Sequence, residues 1–145
     1  MTLLDHLKED HDTVRNLIED LKRSFDNNQQ KIKLFNDLAE EVIIHTKAEE
    51  TAFYDPLMEK EQARLEILES TEEHALVSQL IEQLQVLALT PEEWNAKCKT
   101  LCKLLLNHLN HEEKDAFTLA EKVFTKDKLE ELSKVFENKK AALRS

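Results

Sequence analysis

Slid along itself by 63 residues, this chain lands on its own pattern. Asp10-His11 falls on Glu73-His74, Val14 on Val77, Leu17-Ile18-Glu19 on Leu80-Ile81-Glu82, and Leu21 on Leu84. The same shift lays His45 on His108, Glu49-Glu50 on Glu112-Glu113 and Tyr54 on Phe117. A match over so many positions predicts one helix–turn–helix hairpin used twice. A lone hairpin leaves its apolar face uncovered, whereas two bury theirs against each other.

Composition points the same way. The 145 residues contain no Gly and only two Pro, Pro56 and Pro91. Tight hairpin turns, Gly-rich phosphate loops and dinucleotide folds therefore lack the residue whose backbone freedom they need. The spacing of apolar residues predicts helices throughout. The first covers about Leu3 to Phe25, and the second runs from about Lys31 toward Asp55. A third covers about Gln62 to Leu87, with Ile67, Thr71, His74, Val77, Ile81 and Leu84 in line. The fourth extends from Thr90 to about Phe124, with Leu105, His108, Glu112, Ala116 and Leu119 on its inner stripe, and a fifth covers about 126–143. Asp26 to Gln30 ends the first helix, and Pro56 is expected to break or kink the second. Thr90-Pro91-Glu92-Glu93 combines an N-cap, a first-turn proline and a capping-box glutamate. Short connections between long helices predict an all-α, up-down-up-down antiparallel four-helix bundle with an additional C-terminal helix. No linker divides the chain, so a single domain over 1–145 is expected, its bundle in about 3–124.

The formal net charge of −10 repels phosphate backbones and anionic lipid, which disfavours nucleic-acid and membrane partners. No apolar run approaches the roughly 20 residues needed to span a bilayer, and Met1 to Asp10 lack a signal pattern, so the expected compartment is the cytosol. Cys98 and Cys102 lie one helical turn apart in the stripe Trp94, Cys98, Leu101/Cys102, Leu105, and they read as reduced core residues.

Six residues do not belong on such stripes. His11, His45, Glu49, His74, His108 and Glu112 fall where Leu, Val, Ile and Phe otherwise stand. An ionised Glu inside a bundle costs several kcal/mol unless paired or coordinated, and two at one level also repel each other. Metal cations remove both penalties. In each H-x-x-x-E pair the two side chains share a helical face about 6 Å apart along the axis, so an imidazole and a carboxylate converge on one point. A single such pair can be surface charge, and a single buried His is more often a hydrogen-bonded core residue. Their repetition in register with two further in-stripe histidines favours metal. Imidazole and carboxylate without thiolate suit iron, manganese or zinc, and six ligands in place of a closed set of four favour a di-iron centre. His6 and His111 stand outside the repeat and read as exposed or as outer neighbours of the site. His111-Glu112-Glu113-Lys114-Asp115 is one histidine short of a zinc-protease motif.

Taken together these motifs resemble the hemerythrin-like (HHE) cation-binding domain. The signature reads here as Glu9-Asp10-His11, then His45-x-x-x-Glu49-Glu50, then Glu72-Glu73-His74, then His108-x-x-x-Glu112-Glu113. Tyr54 and Phe117 follow each H-x-x-x-E at the same distance. The resemblance implies a four-helix bundle holding two non-haem iron ions with an oxo or hydroxo bridge, binding dioxygen or a related small oxidant. By position, His11 and His45 ligate one iron, His74 and His108 the other, and Glu49 and Glu112 bridge them. Oxygen-carrying hemerythrins have a fifth histidine where this chain has Ser78, which favours exchange chemistry. Glu73, Asp10, His111 and a tyrosine are the candidates to replace it. Three functions follow: a binding, storage or sensing module, an enzyme acting on peroxide, nitric oxide or ferrous iron, or a small interaction domain with a structural metal.

Overall fold

The computed structural model describes all 145 residues. The chain is a helical bundle with an extra C-terminal helix and no strands. Helix α1 is Leu3–Lys22. Helix α2 starts as Asn28–Glu49, passes through a π-helical turn, Glu50–Tyr54, and ends with Asp55–Met58. Helix α3 is Glu61–Val86. Helix α4 is Pro91–His111, a second π-helical turn, Glu112–Ala116, and Phe117–Val123. Helix α5 is Lys126–Arg144.

Local chemistry sets the boundaries. Asn27 caps α2 by accepting from the Gln30 N–H at 3.1 Å, so part of the polar cluster expected only to end α1 begins the next helix. Thr90 and Glu93 form the expected capping box on α4, each side chain bonding the other's backbone N–H. Pro56 does not break α2. It occupies the first turn of the α-helical segment that resumes after the π turn, where its missing N–H is no loss.

The π turns were not expected, and the repeat explains why there are two. In a regular helix Tyr54, five residues past Glu49, points about 140° away from it. Widening one turn, with the Asp55 N–H donating to the Glu50 carbonyl, brings Tyr54 back onto the inner face beside Phe53. The Phe117 N–H donates to the Glu112 carbonyl in the same way. Downstream, the fully buried position of α4 is therefore Ala120, with Leu119 partly buried against the same core cluster.

The core is in two parts. One cluster holds Val14, Ile18, Phe35, Leu38, Val42, Val77, Ile81 and the lower half of α4, including both cysteines, which are buried and unpaired. The other holds Leu3, Leu7, Phe53, Leu57, Ile67 and the inner face of α5, Leu129, Leu132 and Phe136. His11, His45, His74 and His108 lie between them along the sequence of each helix. A polar belt thus divides the apolar interior, and α5 covers the upper part by packing on α1 and α2.

Candidate metal centre

All six residues singled out from the sequence meet in that belt. Every one is buried, Glu49 and Glu112 completely. Their donor atoms form two overlapping groups, His11, His45, Glu49 and Glu112, and Glu49, His74, His108 and Glu112. Within each group the donor atoms lie no more than 4.8 Å apart. Both carboxylates belong to both groups. Glu112 lies 3.1 Å from His11 Nε2 and 3.5 Å from His108 Nε2. Glu49 lies 3.2 Å from His74 Nε2 and 3.6 Å from His45 Nε2.

Proximity here is not pairing. His11 Nε2, His45 Nε2, Glu112 Oε1 and both oxygens of Glu49 are buried with no hydrogen-bond partner. Leaving one buried polar atom unmatched costs roughly 1–3 kcal/mol, more for a charge, so five at one point need a common explanation. The atoms aim at shared space rather than at one another.

Outside the belt each imidazole is held by its other nitrogen. His11 Nδ1 meets Glu113 at 2.6 Å, His45 Nδ1 meets Asp10 at 2.8 Å, His74 Nδ1 meets Glu50 at 3.3 Å, and His108 Nδ1 meets Glu73 at 2.9 Å. Each anchor is the chain neighbour of an inner residue, yet it serves a histidine on a different helix. Arg15 backs Glu113 at 2.9 Å, and Lys140 from α5 backs Asp10 at 2.6 Å. A carboxylate on Nδ1 fixes the ring's orientation and makes Nε2 the free donor.

The electrostatics follow from this packing. Burial pulls the His45 imidazolium down, but the charge of Glu49 and the hydrogen bond to Asp10 outweigh it and lift its pKa to about 10. His108 reaches about 10 through Glu112 and Glu73 against the same burial. Burial pushes Glu112 up, yet the close approach of Glu49, His108 and His11 holds it well below the usual carboxylate range. Burial and the nearby Glu112 and Glu49 push the Tyr54 phenol well above its ordinary value. The buried carboxylates that would hold a cation thus also favour protons on the imidazoles.

The family described as the hemerythrin HHE cation-binding domain matches residues 2–120. The chain belongs to that family. A DNA nickase of Nostoc sp. (strain PCC 7120) is 23% identical over 144 residues, which is 99% of this chain and 40% of that protein. The chain thus spans less than half the length of the relative it matches. No solved structure matches it.

Hemerythrin HHE domains bind cations, and the donor set here fits one: hard oxygen and imidazole donors, buried, converging and unpartnered. Of the four candidates to fill the place of the absent fifth histidine, three are engaged elsewhere. Asp10 and Glu73 hold His45 and His108 from outside, and His111 lies at the rim within ion-pair distance of Glu66, 2.9 Å, and Asp115, 3.0 Å. Tyr54 alone enters, donating to Glu112 Oε2 at 2.5 Å and lying 3.1 Å from His74 Nε2. Ser78 is exposed. His6 pairs with Glu137 of α5 at 3.1 Å, away from the belt. Sequence reasoning missed the anchoring roles of Glu50 and Glu113, whose only signal was their match in the repeat. It also missed Ser70: the stripe of α3 passes through buried Ser70, while Thr71 is exposed.

Proposed function

We propose that this chain is a non-haem di-iron protein that binds dioxygen or a related small oxidant. His11 and His45 would hold one iron, His74 and His108 the other, and Glu49 and Glu112 would bridge the two. One observation carries this reading: each histidine pair belongs to a single donor group, and both carboxylates belong to both. Such sharing is the pattern of a two-cation site rather than of two separate ones. Cys98 and Cys102 lie in the lower core cluster, outside both donor groups, which leaves an all-nitrogen and oxygen set suited to iron.

A bound iron pair supplies reversible electron transfer and a coordination position open to a small ligand. The chain supplies the surroundings. Val14, Val42, Val77 and Leu105 line a small cavity against His45, His74 and His108, so the site is apolar on the side of the lower core cluster and bulk water is excluded there. The four outer carboxylates keep the imidazoles aimed inward. The acidic surface, net −10, favours a small neutral ligand over a phosphate backbone, so the nicking activity named for the Nostoc protein is not carried over. Buried unpaired cysteines suit the reducing cytoplasm.

The test is stopped-flow mixing of the diferrous protein with oxygenated buffer. A visible band that forms and then vanishes under argon, with the ferrous state restored, supports reversible binding. Rapid irreversible oxidation, or many turnovers of added peroxide, replaces this reading with an enzyme acting on the same centre. A preparation that takes up no iron rejects both.

A further inference from the structure

We propose that Tyr54 is a seventh protein ligand, binding the iron held by His74 and His108 through its phenolate oxygen. The proposal rests on the di-iron reading above and adds an asymmetry to it. The phenol oxygen lies inside the donor group, 3.1 Å from His74 Nε2 and bonded to Glu112. Its ring stacks on the His74 imidazole, centroids 4.9 Å apart and planes at 27°, which fixes the oxygen at the level of Nε2. The π turn in α2 is what brings this side chain inward.

A second observation points to the phenolate. Ser70 Oγ is fully buried, has no hydrogen-bond partner and stands beside the Tyr54 phenol. If the oxygen bound a cation, the phenolic proton would leave to solvent, and the phenolate would offer Ser70 a stronger acceptor than the neutral phenol does. Hard ferric iron favours an anionic oxygen donor of this kind.

Nothing equivalent exists on the other side. The counterpart of Tyr54 is Phe117, stacked on His11 at 5.8 Å without an oxygen, and the counterpart of Ser70 is Leu7. Tyr54 would therefore fill a position at one iron and leave the corresponding position open at the other, next to Phe117. Ligand exchange is then confined to the iron held by His11 and His45.

Tyr54 is the only tyrosine in the chain, so a tyrosinate signal has one possible source. The experiment compares wild type, Tyr54→Phe and Ser70→Ala after aerobic iron loading, by iron content per chain, visible absorption and resonance Raman, with circular dichroism to confirm the fold. The expected result is a visible tyrosinate-to-iron charge-transfer band with tyrosinate ring modes in the wild type. Tyr54→Phe should lose both while retaining iron, and Ser70→Ala should shift the band to lower energy. Two irons in the wild type without that band overturn the Tyr54 assignment and leave the di-iron reading standing. Absence of iron from every variant overturns both.

Discussion

Superimposed through the repeat, the α1–α2 hairpin and the α3–α4 hairpin agree closely in part of the site and diverge in the rest. Glu49 to His74 is 3.2 Å and Glu112 to His11 is 3.1 Å. Asp10 to His45 is 2.8 Å and Glu73 to His108 is 2.9 Å. The divergences gather around His74 and His11. His11 has a short anchor in Glu113, backed by Arg15, and a phenylalanine over its face. His74 has a longer, half-exposed anchor in Glu50, with Ser78 where the repeat places Arg15, and a tyrosine over its face. Duplication of a hairpin delivers six donors in symmetric positions. What distinguishes the two positions is the layer of neighbours around them.

The largest effect should come from the groups the two halves share. Glu49→Ala and Glu112→Ala each remove a donor from both groups, so both variants should lose both irons. His11→Ala and His74→Ala each touch one group and should retain part of the metal. Binding at a hundredfold excess over Kd stabilises the folded state by about 2.7 kcal/mol, and the carboxylate variants should forfeit that gain on iron loading. Iron content and thermal unfolding before and after loading check this. Full iron in both carboxylate variants would break the shared-bridge reading.

The anchors sharpen the comparison further. Outer partners of metal-binding histidines are typically worth 10–100-fold in affinity. Glu113→Gln should fall toward the upper end, because Glu113 is close, largely buried and paired with Arg15; burial pushes its carboxyl up, but His11 and Arg15 hold its pKa down to about 2. Glu50→Gln should fall toward the lower end, since Glu50 is 48% exposed and 3.3 Å from its histidine. Competition titrations against a chelator rank the two. Equal losses would mean that the anchors act only through ring orientation and not through charge.

How much of this was legible depends on the kind of signal. Hydrophobic period, the absence of glycine and the repeat led to the bundle and to the six belt residues, since a charged residue on an apolar stripe is visible in one dimension. The π turns were not, because a helical period assumes a constant turn, and one extra residue moves Tyr54 inward and makes Ala120 the fully buried position beside a partly buried Leu119. Ser70 was hidden for a related reason: Ser70 and Thr71 are adjacent hydroxyl residues, and only the orientation of α3 decides between them. The crossed anchoring of each histidine by a carboxylate from another helix is a three-dimensional fact that the sequence records only as paired acidic neighbours.

Titration offers a smaller effect with a definite sign. His45 and His108 are raised from 6.5 to about 10 in the folded chain. Their contribution to stability is therefore complete below pH 6.5 and is lost as pH rises through about 10. The metal-free protein should lose thermal stability across that interval. A cation on Nε2 displaces the proton, so the iron-loaded protein should lack this decline, and loading at neutral pH should release protons. Thermal melts of chelator-treated and loaded protein over that range measure the difference, and His45→Gln and His108→Gln should each remove a similar share of the slope. A slope confined to one of them would show that the two halves titrate unequally.

The smallest effect concerns the C-terminal helix, which the repeat does not duplicate. Asp10 is braced by Lys140 at 2.6 Å, whereas its counterpart Glu73 has only His111, at 3.6 Å. Phe136 from the same helix packs edge-on to the His45 ring at 5.9 Å. Helix α5 thus steadies one half of the centre from outside the bundle. Lys140→Met keeps an unbranched side chain and removes the ammonium, which sits 5.3 Å from the Phe136 ring centroid as well as against Asp10, so Asp10 becomes free to rotate away from His45. Because the carboxylate itself remains, the cost should stay below the roughly tenfold minimum for losing an outer partner, and it should appear only in the iron held by His11 and His45. A stepwise chelator titration resolves this. A loss from both iron sites in equal measure would mean that α5 supports the fold as a whole and not the half of the centre it touches.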